Sequence, residues 1–89
     1  NIYIDIQKTR STDLKNAPCY GGTYMHFDSL PKKGDIIEHL YIVPHFAKNN
    51  PDLENVPEGS FEVLCEPFEI NPNNPFDCAH KIMVCSTEL

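Results

Sequence analysis

Four cysteines and four histidines carry much of the reactive chemistry available to this chain of 89 residues. A zinc site favours closely paired ligands such as Cys-x₂-Cys. Here the nearest candidates are Cys78 and His80, with a single residue between them. An even number of cysteines in a short chain is instead typical of an extracellular disulfide framework. We therefore expect two disulfides, no metal and no cofactor.

General acid–base chemistry is a second use of these side chains. The ingredients of a small secreted hydrolase, such as a ribonuclease, would be Arg10, Glu38, His39, His45 and His80. Glu38 and His39 are adjacent, so on a strand their side chains would point to opposite faces. This weakens the hydrolase hypothesis, which we keep as the alternative, and no residue is assigned a catalytic role.

The acidic residues are concentrated in the second half of the chain. The formal net charge is −6, and residues 49–89 contain eight acidic residues and a single base, Lys81. This balance argues against nucleic-acid binding, which needs clustered Lys and Arg. It favours an acidic surface that binds a basic protein partner. The residues predicted to form this surface are Asp52, Glu54, Glu58, Glu62 and Glu66.

The elements that must position these groups are short and of period two. Eight prolines and four glycines interrupt the chain, and the alternating segments between them predict about five strands. These strands cover residues 2–7, 23–27, 36–43, 60–66 and 78–85. The strand at 36–43 is apolar on both faces and is predicted to be central. The longest predicted loop covers residues 48–59, and loops of that length are often functional.

The expected fold class is all-β, a small disulfide-braced sandwich or barrel formed by residues 1–89 as one domain. The alternative is an α+β fold with one short helix near residues 11–17. No apolar run approaches the roughly 20 residues that a membrane-spanning helix needs. We therefore expect no membrane insertion.

The last predicted strand limits how the cysteines can pair. Along an extended strand Cys78 and Cys85 would lie roughly 23 Å apart, whereas a disulfide needs Cα atoms within about 7 Å. The favoured pairing is Cys65–Cys85 with Cys19–Cys78, because a hairpin through residues 71–75 would bring residue 65 beside the end of the last strand. The other pairing, Cys65–Cys78 with Cys19–Cys85, stays open.

These observations predict a secreted, non-enzymatic protein-binding domain. It would act as an inhibitor, effector or signal on a host or target protein through its acidic surface. A further alternative is a module of a larger extracellular protein.

Overall fold

The computed structural model describes residues 1–11, 13, 17–49, 56, 58–71, 73–75 and 77–88, with only the backbone described for 46–49. Within this part of the chain there are six strands and one helix. They are β1 (Ile2–Gln7), β2 (Cys19–Met25), β3 (Ile36–Ile37), α1 (His39–Asn49), β4 (Phe61–Val63), β5 (Phe68–Glu69) and β6 (His80–Ser86).

All six strands belong to one mixed sheet in the order β2-β1-β6-β4-β3. The first and last strands run parallel in the middle of the sheet, where Ile4 lies opposite Ile82. The other pairings are antiparallel. β5 pairs with β6 on the same side as β4, so β4 and β5 follow one another along β6. β2 and β3 are therefore the end strands of this order, and β5 is paired on one side only.

One face of the sheet holds the hydrophobic core. The alternation predicted for β1 is confirmed, since Ile2, Ile4 and Ile6 are all buried on this face. Phe61, Val63, Ile82 and Val84 are buried in the same cluster. The helix α1 adds the fully buried Ile42, and the hydroxyl of Thr23 donates to the carbonyl of His45 at 3.0 Å. The helix is thus attached to the sheet through both apolar packing and a hydrogen bond.

The prediction of a central strand at residues 36–43 is wrong. Only Ile36 and Ile37 are extended, and they form an edge strand; the helix begins at His39. A short apolar run fits a buried strand and a buried helix turn equally well, so its periodicity does not separate them. In the helix only one side of the run is buried, because Ile42 packs in the core while Leu40 and Tyr41 are exposed.

The all-β sandwich or barrel is corrected in the same way. The described residues form one six-stranded mixed sheet with a single helix of 11 residues against it. The chain closes its core with that helix rather than with a second sheet. The alternative position for a helix, near residues 11–17, lies largely outside the described residues.

The predicted disulfides are also wrong, since no disulfide joins any of the four cysteines. Cys65 does not lie beside Cys85, because β4 ends at Val63 and the residue opposite Cys85 is Glu62. Cys78 and Cys85 are buried, Cys65 is half-buried and Cys19 is exposed. The structure is therefore held together by packing and hydrogen bonds without the covalent bridges inferred from cysteine number.

Candidate functional site

The acidic residues predicted to form one binding surface lie in different places. Asp52 and Glu54 fall outside the described residues. Glu62 is half-buried and forms an ion pair with Arg10, with 3.0 Å between Nη1 and Oε1. Glu66 is exposed in the break between β4 and β5. Because β4 ends at Val63, the alternation that would place Glu62 and Glu66 on one strand face does not continue.

Glu58 is exposed at a third location. Its neighbour Gly59 lies against the last residues of the described chain, since a Cβ built on Gly59 would be 3.6 Å from Oε1 of Glu88. A second carboxylate thus lies close to this turn. The described members of the predicted surface therefore divide into three separate regions, and only Glu66 lies in a groove.

That groove, called here the β5 groove, has a volume of about 360 Å³. Glu69 and His80 lie directly opposite one another on β5 and β6, and Glu66 lies near them. Apolar and basic side chains complete the lining, which consists of Leu30, Pro31, Lys32, Glu66, Pro67, Glu69 and His80. Both glutamates are exposed. The groove thus combines an apolar wall with two solvated carboxylates.

A second groove, called here the β3 groove, continues from the first. It has a volume of about 250 Å³ and shares Leu30 and Pro31 with the β5 groove. Its other lining residues are Phe27, Ser29, Asp35, Ile36 and Ile37. Since the two grooves share a wall, they form one depression that extends from β5 to the edge strand β3.

Exposed apolar side chains are concentrated beside this depression. Among the described residues the exposed large hydrophobic side chains are Leu30, Ile36, Leu40 and Tyr41, with 47%, 56%, 82% and 51% of their surface accessible. All four fall within residues 30–41, and we call them the edge patch. The ring of Tyr41 lies 5.9 Å from that of Phe27, which lines the β3 groove. Leu30 and Ile36 of the patch therefore line the grooves, and Tyr41 adjoins the β3 groove.

Sequence reasoning missed the edge patch because it placed residues 36–43 in a buried strand. The sequence did contain an indication of exposed apolar surface. This segment is apolar on both predicted faces, whereas so short a chain is expected to form only a thin core. Once a helix begins at His39, one side of the run has no element to cover it among the described residues.

The residues considered for acid–base chemistry do not converge. His39 stacks against Phe61 at 5.8 Å on the core side of the sheet. Arg10 pairs with Glu62, which alternates with Phe61 and so lies on the opposite face. His80 lies in the β5 groove, apart from both. The hydrolase alternative stays a prediction, and none of these contacts favours it.

The face opposite the core carries a second set of polar contacts. Nζ of Lys81 lies 2.7 Å from Oδ2 of Asp5, and 5.8 Å from the centre of the Tyr3 ring. Burial, together with the nearby Asp5 carboxylate, raises the pKa of the Tyr3 phenol. Gln7, next along this face of β1, is buried, and its Oε1 has no hydrogen-bond partner among the described residues. None of these groups lines the β5 groove or the β3 groove.

Neither a metal centre nor a membrane-spanning helix occurs in the described part of the chain. Its residues contain no group of three or more His, Cys, Asp or Glu side chains placed to hold a metal ion. Its single helix, α1, is too short to cross a membrane.

Comparison with known proteins found no matching family model, no matching curated protein and no matching solved structure.

Proposed function

We propose that this chain is a non-enzymatic protein-binding domain whose contact surface is the edge patch together with the two grooves. The observation that carries the proposal is the concentration of exposed apolar side chains in residues 30–41. Contiguous exposed apolar surface bordered by polar residues marks interaction sites more often than the general surface does. Leu40, with 82% of its surface accessible, contributes nothing to the core and is free to contact a partner.

The proposed contact surface includes only part of the acidic surface predicted from the sequence. Of the described carboxylates predicted to bind a basic partner, Glu66 lies in a groove beside the patch, and Glu69 joins it there. Carboxylates at the rim of an apolar contact favour a partner of opposite charge and speed its association. Glu58 and Glu62 lie elsewhere.

A role as an extracellular inhibitor, effector or signal is part of the same proposal. Because the four cysteines form no disulfide, their number no longer supports an oxidising compartment. Secretion, and membership of a larger extracellular protein, therefore rest only on the composition of the chain and stay predictions.

The proposal is tested by capture of partners on immobilised protein, with the wild type compared to an Ile36→Asp/Leu40→Asp variant. A matched control, Asn73→Asp/Thr87→Asp, adds the same charge at exposed positions away from the patch. We expect a set of proteins that the wild type and control retain and the patch variant loses, while circular dichroism shows all three folded. Equal retention by the patch variant would contradict the proposal.

A further inference from the structure

The edge strand β3 presents unpaired backbone groups to solvent. The amide of Val63 donates to the carbonyl of Asp35 at 2.9 Å, and the amide of Gly34 donates to the carbonyl of Val63 at 2.8 Å. Successive backbone groups of a strand point to alternate sides, so the amide and carbonyl of Ile36 point away from β4. β3 is the last strand in the sheet order. Within the described chain, no backbone hydrogen bond reaches its outer side.

The two residues of β3 carry neither a charge nor a proline, which are two of the features that commonly protect exposed strands. Natural edge strands carry charges, prolines or bulges that discourage further pairing. Both residues of β3 are isoleucines, and the side chain of Ile36 is exposed. The strand is short, which is itself protective, but the β3 groove beside it offers apolar walls from Phe27, Leu30 and Pro31.

We propose that β3 accepts an extended segment of a partner protein as a seventh strand, and this proposal rests on the protein-binding function proposed above. The backbone of the segment would bond to the amide and carbonyl of Ile36. Its alternate apolar side chains would occupy the β3 groove, as in other cases of strand addition to a sheet edge. A Lys or Arg of the segment would lie in the β5 groove, beside Glu66 and Glu69.

Charge selects a basic partner segment over a second copy of this chain. Each copy carries a formal net charge of −6, and pairing two β3 edges would bring the carboxylates of both β5 grooves towards each other. Like charges brought together at an interface are unfavourable, whereas a Lys or Arg beside Glu66 and Glu69 is favoured. Lys32 is the single Lys or Arg that lines the β5 groove, against the two carboxylates of Glu66 and Glu69.

The first test identifies the chemistry of the segment. A phage library of random heptapeptides is selected on the immobilised wild-type chain, and enriched peptides are synthesised for titration. We expect enrichment of sequences with apolar residues at alternate positions followed or preceded by Lys or Arg, and depletion of proline between them. Failure to enrich any such pattern would overturn the proposal.

The second test asks whether the peptide binds as a strand. Each backbone amide of an enriched peptide is N-methylated in turn, and affinity is measured by calorimetry. The carbonyl of Ile36 is the single acceptor that β3 offers on its outer side, so one amide of the added strand bonds to it. Methylation of that amide is expected to weaken binding roughly tenfold, with little effect at the amides on either side of it. A uniform response along the peptide would show that strand addition is wrong.

The third test concerns the carboxylates. The Glu66→Gln/Glu69→Gln variant is expected to bind a Lys-containing peptide roughly three- to tenfold more weakly than the wild type. Its affinity for the norleucine analogue of that peptide should be unchanged. Glu58→Gln/Glu88→Gln removes the same charge away from the grooves and should have little effect. Equal losses in both variants would reduce the role of the grooves to general charge attraction and contradict the proposed placement.

The outcomes separate this proposal from the proposed function. If the patch variant loses its captured partners while the methylation series is uniform, protein binding stands and strand addition fails. If the patch variant loses nothing, the proposed function itself fails. A dimer found by light scattering of the wild type and abolished by Ile36→Asp would replace the partner segment with a second copy.

Discussion

The hydroxyl of Tyr3 lies so close to Gly22 that a Cβ on this glycine would overlap with it. Gly22 is paired with Asp5, two residues along β1, so the Tyr3 side chain leans along the sheet over the neighbouring strand. The same ring lies under Nζ of Lys81. The absence of a side chain at position 22 therefore sets the position of Tyr3 on the face opposite the core.

Gly22→Ala is the first prediction. The new methyl group meets ring atoms as well as the hydroxyl, so we expect a loss of about 1–3 kcal/mol in the free energy of unfolding, as for other overpacked sites. Urea denaturation measures it. In a Tyr3→Leu background the loss should shrink, because the obstructing ring is gone.

A matched control for this prediction is Gly34→Ala. Gly34 has a φ of +92°, and a Cβ added to it would meet no atom within 4 Å. Its substitution is costly through backbone strain alone, so its cost should be the same in the wild type and in the Tyr3→Leu background. A cost of Gly22→Ala that is equally insensitive to the Tyr3 ring would contradict the contact.

The two ion pairs of the sheet predict different responses to mutation. The side chains of Lys81 and Asp5 are 25% and 17% exposed, whereas those of Arg10 and Glu62 are 43% and 32% exposed. Removing Lys81 leaves the partly buried Asp5 carboxylate without this partner, so Lys81→Met should lower the free energy of unfolding by about 1–3 kcal/mol. Arg10→Met should have a smaller effect, because exposed pairs are screened by water and salt.

Unfolding of both variants in low and high salt provides the check. The difference in the free energy of unfolding between wild type and Arg10→Met is expected to vanish in 1 M NaCl. This ionic strength is about ten times that at which the screening length is about 10 Å. The effect of Lys81→Met should persist. Equal salt dependence of the two variants would mean that Lys81 and Asp5 are as solvated as the surface pair.

The fold could be predicted from sequence where one periodicity was unambiguous. The alternation of Ile2, Ile4 and Ile6 predicts β1 and its buried face, and the last strand begins within two residues of its predicted start. The prediction of a strand at residues 36–43 was wrong because a run of apolar residues fits two periodicities, and only tertiary packing decides between them. Pro44 is a residue expected to end a strand, yet it lies inside α1.

The candidate site, like the fold, could be predicted from the sequence only in part. Glu66 was predicted as a binding residue from its charge and lies in a groove, but the edge patch depends on which side of α1 is left uncovered. That is decided by the position of the helix on the sheet, which no local pattern encodes. The disulfide prediction was wrong because the number of cysteines reflects the usual compartment of such chains. It carries no information about the distances between cysteines in the fold.

Pro44→Ala is the third prediction. Pro44 is the sixth residue of α1 and lacks the N–H that an interior position would donate to the carbonyl of Leu40. Because Pro44 is exposed, alanine removes little packing and restores that bond. We expect the free energy of unfolding to rise by about 1–3 kcal/mol, with a gain in helical circular dichroism.

Pro18→Ala is the control for this substitution. Pro18 is also exposed but lies outside any helix, and its carbonyl, which accepts from the amide of Lys8 at 2.9 Å, is kept in alanine. The change should therefore be small. A loss of stability in Pro44→Ala would contradict the cost assigned here to a proline inside α1.

The buried thiols predict a loss of stability at alkaline pH. Burial raises the pKa values of Cys78 and Cys85 above their ordinary value. The unfolded chain therefore releases these protons first as the pH rises, beginning near about pH 8.5. Since the unfolded state then binds fewer protons than the folded state, stability is full below that pH and falls above it, by up to about 1.4 kcal/mol per pH unit for each thiol.

Two measurements test this dependence on the buried thiols. Urea midpoints are taken from pH 7 to pH 10, and Cys78→Ala/Cys85→Ala should be less stable at pH 7 but show a flatter pH profile. Iodoacetamide labelling followed by mass spectrometry gives an independent check, because exposed Cys19 should be alkylated in the folded protein while Cys78 and Cys85 react only on unfolding. Equal labelling rates for Cys19 and Cys85 in the folded protein would contradict the burial from which the pH dependence follows.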